Sequence, residues 1–93
     1  MNIKILLYDN ENYTEYSFKN ELQKALDKID RKLISIKTTR EKQRVIFRKI
    51  EMIVINVEID GEEIKDPDEF NHTISQAILQ VTDNLSLELY GIE

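Results

Sequence analysis

The chain has 93 residues, and its 13 basic and 18 acidic side chains give it a formal net charge of −5. Apolar residues make up 41% of it, which is enough for a core and argues against wholesale disorder. This length predicts a single domain, residues 1–93. The absence of cysteine excludes disulfides, thiol nucleophiles and Cys-based metal sites. We find no signal-peptide pattern and no apolar run near the roughly 20 residues that span a bilayer, so we expect a cytoplasmic location without membrane contact.

The first part of the chain predicts a strand, a helix and a second strand. Alternating apolar residues over Ile3–Leu7 are typical of a central strand. A helix is expected after Thr14 or Ser17, either of which suits an N-cap, because apolar residues then recur at steps of three and four. That apolar face consists of Phe18, Leu22, Ala25, Leu26, Ile29 and Leu33. Alternation over Leu33–Thr39 predicts the second strand, and Arg40–Gln43 is interpreted as a polar turn.

The segment Arg44–Asp60 is strand-like along its whole length. Its 17 residues far exceed the usual strand of about five or six. The apolar phase also slips within it, so we expect either a bulge near Arg48–Met52 or two strands that meet there. The dipeptide Asp60-Gly61 then predicts a tight turn before an extended segment, Glu62–Lys65.

A capping signal predicts the start of the second helix. Asp66 is the expected N-cap, Pro67 suits the first turn, and Glu69 lies at the third helical position. The apolar face that follows consists of Phe70, Ile74, Ala77, Ile78 and Val81. We expect this helix to end at residues 82–84 and a final strand to occupy residues 85–90.

The predicted order of elements is β-α-β-β-α-β. Two amphipathic helices and an alternating sheet favour an α+β two-layer sandwich, in which an antiparallel sheet carries both helices on one face. The split βαβ arrangement, known as the ferredoxin-like topology, fits this order best. A meander with the first helix packed across it is the alternative.

No catalytic or metal-binding constellation is recognisable in the sequence. The single histidine, His72, lies early in the second helix beside Asp68, where a surface histidine is the ordinary interpretation. These two residues supply at most two metal ligands, so we predict no metal and no cofactor. Phosphate-binding loops, dinucleotide fingerprints and zinc-protease motifs are absent from the sequence. We therefore expect a protein that is not an enzyme and has no catalytic residues.

Charge is distributed unevenly along the chain. The net charge is 0 over residues 1–36, +5 over residues 37–49 and −10 over residues 50–93. The acidic side chains that crowd into ten positions are Asp60, Glu62, Glu63, Asp66, Asp68 and Glu69. The basic side chains of the central segment are Lys37, Arg40, Lys42, Arg44, Arg48 and Lys49. Like charges this close cost stability unless a partner balances them, so each cluster is a candidate binding surface.

The acidic cluster carries our leading functional prediction. Its carboxylates would bind a protein with a basic surface, such as one whose Lys/Arg groove normally holds nucleic acid. Tyr13 and Tyr16, three residues apart at the start of the first helix, are expected to form one exposed aromatic patch that adds to this surface. Short, acidic, cysteine-free chains without catalytic motifs are typical of phage or mobile-element inhibitors, including anti-CRISPR and other anti-defence proteins. This is an analogy of type, without sequence similarity. It predicts a non-catalytic inhibitor or adaptor that acts by binding protein.

Two alternatives stay open. In the first, residues 37–49 form a basic hairpin that contacts nucleic-acid phosphates. The stacking positions of RRM domains are missing, since Lys4 stands where the first aromatic is needed and Arg44–Phe47 lacks the glycine. In the second, the long strand Arg44–Ile59 leaves an edge that pairs with a second copy and makes a homodimer.

Overall fold

Across the described residues, the fold is a four-stranded antiparallel sheet with two helices on one side. The computed structural model describes residues 1–61 and 67–93. The elements are β1 (Asn2–Tyr8), α1 (Glu15–Asp27), β2 (Leu33–Val45), β3 (Arg48–Ile59), α2 (Pro67–Asn84) and β4 (Leu89–Ile92). The predicted α+β class and element order are therefore confirmed.

The strand order is β2-β3-β1-β4, with every neighbouring pair antiparallel. Strand β3 lies between β1 and β2, so the crossover through α1 skips one position in the sheet. This is the split βαβ arrangement that the ferredoxin-like topology requires. Strand β1 is central, as its apolar character predicted, and β2 and β4 lie at the two edges.

The main core fills the space between the helices and one face of the sheet. Helix α1 contributes Phe18, Leu22, Ala25 and Leu26 to it, and helix α2 contributes Ile74, Ala77, Ile78 and Val81. The sheet contributes the odd-numbered residues of β1 and β3, from Ile3 to Leu7 and from Ile53 to Ile59. Each large side chain that is fully buried here stabilises the fold by about 1.5–3 kcal/mol. The predicted helical faces are thus confirmed in part, because Ile29 lies beyond the end of α1, Leu33 belongs to β2, and the side chain of Phe70 lies outside the description.

The start of α1 follows the predicted capping chemistry. Thr14 has an extended backbone, and its Oγ1 accepts a hydrogen bond of 3.2 Å from the backbone N–H of Ser17. This bond satisfies one of the free donors at the helix N-terminus. Helix α2 begins at Pro67 as predicted, whereas its expected cap, Asp66, lies outside the described residues.

Each helix is followed, within three residues of its end, by a residue in the left-handed conformation that is not glycine. These residues are Asp30 with φ 56° and Ser86 with φ 54°. After α2, the N–H of Leu87 donates to the carbonyl of Thr82 at 2.8 Å, which satisfies a free carbonyl of the last turn. Residues 85–87 therefore terminate the helix. The predicted last strand is present, but for this reason it begins at Leu89 rather than at residue 85, and β4 covers Leu89–Ile92.

The central turn lies elsewhere than the sequence suggested. Arg40–Gln43 was interpreted as a turn because it is polar, but these residues continue β2 in pairing with β3. Ile36 pairs with Val57 in the core. In the same register the pairing continues to Val45 and Arg48, so Ile46 and Phe47 form the turn that joins the two strands. Long-range pairing thus overrides local polarity, and the actual turn contains two of the most apolar residues of the segment.

The phase slip in the long apolar segment has a simple cause. Ile50, Met52 and Val54 point to the sheet face opposite the helices, where Met52 and Val54 pack with Leu6 in a second apolar cluster. The pairing of β3 with β2 is regular from Arg48 to Glu58, so the predicted bulge near Arg48–Met52 was wrong. The other prediction, two strands meeting within this segment, holds, but they meet at residues 46–47, and the predicted range Arg48–Met52 lies inside β3. The expected segment Glu62–Lys65 lies outside the described residues.

Candidate functional site

The β2–β3 hairpin extends beyond the rest of the sheet. Strand β1 ends at Tyr8, which pairs with Met52, so residues 48–51 of β3 pair with β2 alone. We call the segment Lys42–Glu51 the arm. At about 3.3 Å per residue, the arm projects about 15 Å past the end of β1. It is a two-stranded ribbon with solvent around its end.

The arm carries cations on both of its faces. Directly paired residues share a face, and successive residues alternate between faces. Lys42, Arg44 and Lys49 therefore lie on the side that continues the helix-bearing face. Arg48 lies on the opposite side, where it pairs with Val45. A single carboxylate, Glu51, accompanies these four cations on the arm.

Arg44 and Lys49 are directly opposite each other across the arm. Directly opposed side chains have Cβ atoms about 5 Å apart, and like charges at this spacing destabilise a ladder. Among the described residues, no carboxylate lies within salt-bridge distance of Lys42, Arg44, Arg48 or Lys49. Arg44 and Lys49 are therefore opposed cations without a carboxylate partner among the described residues, and a bound anion would stabilise this arrangement.

The tip of the arm is apolar and exposed. The side chains of Ile46 and Phe47 are 79% and 91% exposed, the two highest values among the large hydrophobic residues described. Ile46 also has a φ of 55°, in the left-handed region. A β-branched residue is strongly disfavoured there, and glycine or asparagine is the usual choice in such a turn. Ile46 and Phe47 were not among the residues predicted for the site, although an apolar dipeptide that interrupts a basic run is a signal in the sequence.

A second apolar cluster attaches the arm to the domain. Val45 and Ile50 are half-buried, and they pack against Leu6, Met52 and Val54 on the helix-free face of the sheet. This packing continues the sheet into the base of the arm, beyond the end of β1.

The other two predicted basic residues lie below the arm. Arg40 forms an ion pair with Asp9 at the base of the arm, so its charge is compensated. Lys37 is exposed on the helix-free face, in a row with Asn56 and Lys4 across three strands. This row borders a shallow cavity of about 490 Å³ on the sheet surface. Lys37 therefore adds positive charge on the same side of the sheet as Arg48.

The predicted acidic surface is described only in part. Asp60, Asp68 and Glu69 are exposed. Glu62, Glu63 and Asp66 lie outside the described residues, so their clustering with the others stays a prediction. Asp60 comes directly after the last residue of β3, whereas the tip of the arm comes directly before the first residue of β3. The twelve residues of β3 thus separate Asp60 from Arg48 by up to about 40 Å.

Tyr13 and Tyr16 do not form one exposed aromatic patch. Tyr13 is buried, and its hydroxyl shares a hydrogen bond of 2.6 Å with Thr38 Oγ1. Burial raises the pKa of Tyr13 above its ordinary value of 10.0, and the negative charge of Glu15 adds to this. Tyr16 points to solvent and is 77% exposed. Tyr13 is thus a packing residue at the start of α1, and only Tyr16 stays available to a partner.

The free edge predicted along Arg44–Ile59 was wrong for most of its length, because β3 pairs with both β1 and β2 from Met52 to Glu58. The edge of the sheet at β2 is also poorly suited to self-association. The N–H of Thr38 donates to Glu15 Oε1 at 2.9 Å, which occupies part of this edge. Lys37, Arg40, Lys42 and Arg44 line the same strand, so an identical antiparallel partner would oppose cations to cations. Charged residues on an edge strand are a common protection against such pairing.

The described residues hold no group of three or more metal-ligating side chains. His72 is exposed on α2. Within the same residues, neither helix has the length and hydropathy needed to cross a bilayer. The sequence matches no protein-family model, and no curated protein is significantly similar to it. The arm itself is therefore the candidate functional site.

Proposed function

We propose that this protein is a non-catalytic binding module whose arm contacts nucleic acid. The observation that carries the proposal is the uncompensated pair Arg44–Lys49, which lies beside two further cations on a projecting ribbon. Phosphates are regularly spaced anions that cations of this kind neutralise, with release of counterions. The leading prediction from sequence, an acidic surface for a basic protein, has less support, because half of that surface is not described.

The shape of the arm supports a groove as its target. The major groove of DNA is about 12 Å wide and admits a two-stranded ribbon. Cations on both faces of the arm would meet the phosphates on both walls of such a groove. An anionic membrane would meet the arm from one direction only, and contact with its surface would leave the cations of one face unused.

The net charge of −5 does not oppose this function, because the charges are separated. Asp60 lies up to about 40 Å from Arg48, at the far end of β3. The Debye length is about 8 Å at physiological ionic strength, so the acidic end is screened from a ligand at the arm. A basic arm on an acidic body also orients the protein as it approaches a polyanion.

The experiment compares two variants with the same change in charge. One replaces the arm cations (Lys42→Gln, Arg44→Gln, Arg48→Gln, Lys49→Gln). The other replaces four lysines on and after α1 (Lys19→Gln, Lys24→Gln, Lys28→Gln, Lys32→Gln). Binding of labelled duplex DNA, single-stranded DNA and RNA is measured by fluorescence anisotropy over a range of salt concentrations.

We expect the arm variant to lose affinity and most of its salt dependence, because each phosphate contact that is removed lowers the slope of log K against log salt by about 0.7–0.9. The α1 variant should bind nearly as well as the native protein. Equal losses in both variants would show that net charge alone matters. No binding by the native protein at micromolar concentration and low salt would reject the proposal, and charge reversal at Asp60, Asp68 and Glu69 would then test the acidic surface.

A further inference from the structure

We infer that Ile46 and Phe47 form an apolar wedge that inserts at a base step, so that the arm selects nucleic acid whose stacking is already interrupted. This inference rests on the proposed function and specifies which nucleic acid the arm prefers. The two side chains form the turn itself, and they lie beyond all four cations of the arm. Nothing in the described fold packs against Phe47, which is 91% exposed.

The backbone gives an independent reason to assign a role to this tip. Three described residues other than glycine have a positive φ, namely Asp30, Ile46 and Ser86. Asp30 and Ser86 terminate helices and are small polar residues that tolerate this conformation. Ile46 has neither explanation, because it ends no helix and its side chain is β-branched. A turn selected for stability alone would have glycine or asparagine at this first turn position.

The chemistry of the tip matches the interior of a base stack. Apolar side chains such as Phe and Ile are the wedges that DNA-bending proteins insert between base steps. Aromatic rings also stack on unpaired bases of any sequence. Arg44, Arg48 and Lys49 lie within three residues of the tip, where they would neutralise the phosphates that flank the opened step.

The wedge predicts a preference that charge alone does not. Opening an intact base step costs free energy, whereas a bulge, a mismatch or a single strand has already lost that stacking. An intact duplex and a bulged duplex of the same length present nearly the same phosphates, so the cations bind both equally. Any preference for the bulged duplex therefore comes from the apolar tip.

The test measures affinity for an intact duplex and for a matched duplex with one bulged 2-aminopurine, whose fluorescence reports stacking. Phe47→Ala is compared with Tyr16→Ala, which removes an exposed aromatic ring outside the arm. We expect Phe47→Ala to weaken binding to the bulged duplex by about 5- to 150-fold, the range for one base–aromatic stack, and to keep the salt slope. Tyr16→Ala should change neither the affinity nor the 2-aminopurine signal.

The possible failures are distinguishable. If the native protein binds both duplexes with the expected salt slope but Phe47→Ala keeps the preference for the bulge, the wedge is wrong and the basic arm stands. If the native protein binds no nucleic acid, the proposed function and the wedge fail together. Binding to phosphatidylserine-containing vesicles that depends on Phe47, without binding to DNA or RNA, would overturn the inference in favour of membrane insertion.

Discussion

Replacing Ile46 with asparagine should make the protein more stable, although the substitution exchanges an apolar residue for a polar one. An L-residue in the left-handed region costs about 1–2 kcal/mol, and asparagine adopts this conformation far more easily than isoleucine. Because Ile46 is 79% exposed, only about a fifth of its side chain is buried. Full burial of an isoleucine is worth about 1.5–3 kcal/mol, so the substitution removes apolar burial worth only about 0.5 kcal/mol. The expected net gain is about 1 kcal/mol.

Urea unfolding followed by circular dichroism measures this gain directly. The midpoint should rise with an unchanged m-value, because the surface exposed on unfolding hardly changes. The corresponding rise in Tm is about 4–8 °C for a domain of this size. Ile34→Asn is the matched control, since Ile34 is 57% exposed and has no positive φ. With no backbone strain to relieve, the control should lower the midpoint.

The same substitution should weaken nucleic-acid binding, because it removes half of the apolar tip. A variant that is more stable but binds less well would show that Ile46 lowers stability and contributes to binding. This is expected where function maintains local strain. If Ile46→Asn lowers the midpoint as much as Ile34→Asn does, the left-handed backbone carries no recoverable strain. The positive φ of Ile46 would then give no reason to assign a function to the tip of the arm.

Three further substitutions test other parts of the structure. Lys49→Glu places opposite charges across the arm at Arg44, so the free energy of unfolding should rise by about 0.2–1 kcal/mol in urea titrations while nucleic-acid affinity falls. Tyr13→Phe removes the bond to Thr38 and should cost about 1 kcal/mol at neutral pH. The raised pKa of Tyr13 means that the folded state keeps a proton which the unfolded chain loses; native stability should therefore fall as the pH rises from about 10 through the folded pKa, and the loss should be smaller in Tyr13→Phe. Met52→Ala should cost about 2–5 kcal/mol by emptying the second cluster, and hydrogen exchange in the arm should accelerate.

Each of these expectations has a contrary result. A destabilised Lys49→Glu variant would mean that the opposed cations do not repel in the folded protein. Parallel pH profiles for the native protein and Tyr13→Phe would mean that burial does not perturb this phenol. Unchanged exchange in the arm of Met52→Ala would mean that the second cluster does not hold the arm in place.

Much of the fold follows from the sequence because its signals are local. The apolar residues of α1, from Phe18 to Leu26, recur at the helical period, and the hydroxyl of Thr14 caps the helix three residues away. The alternation of Ile3, Ile5 and Leu7 likewise indicates a strand by itself. Such patterns depend on neighbours within four residues, so they can be recognised without any knowledge of the rest of the chain. The element types and their order could therefore be predicted.

The location of the arm could not be predicted, because it depends on register. A turn at Arg40–Gln43 would pair Ile36 with Phe47 and bring both to the core face. The structure pairs Ile36 with Val57 instead, because β3 is itself held by β1 through pairs such as Ile5 with Ile55. A shift of register would leave Ile53–Ile59 without this coverage, which costs more than exposing Phe47.

The sequence alone established the two charge clusters and the absence of recognisable catalytic motifs. What surrounds each charged or aromatic residue depends on the folded chain. Arg40 pairs with Asp9, Arg44 lies opposite Lys49, and Tyr13 is buried whereas Tyr16 is exposed. The periodicity of a helix or strand depends on residues that are close in sequence. The register of two paired strands depends on which residues of both strands are buried, and these residues are distant in sequence. For this reason the candidate site, an apolar tip on a basic arm, becomes visible only after the strands have been paired.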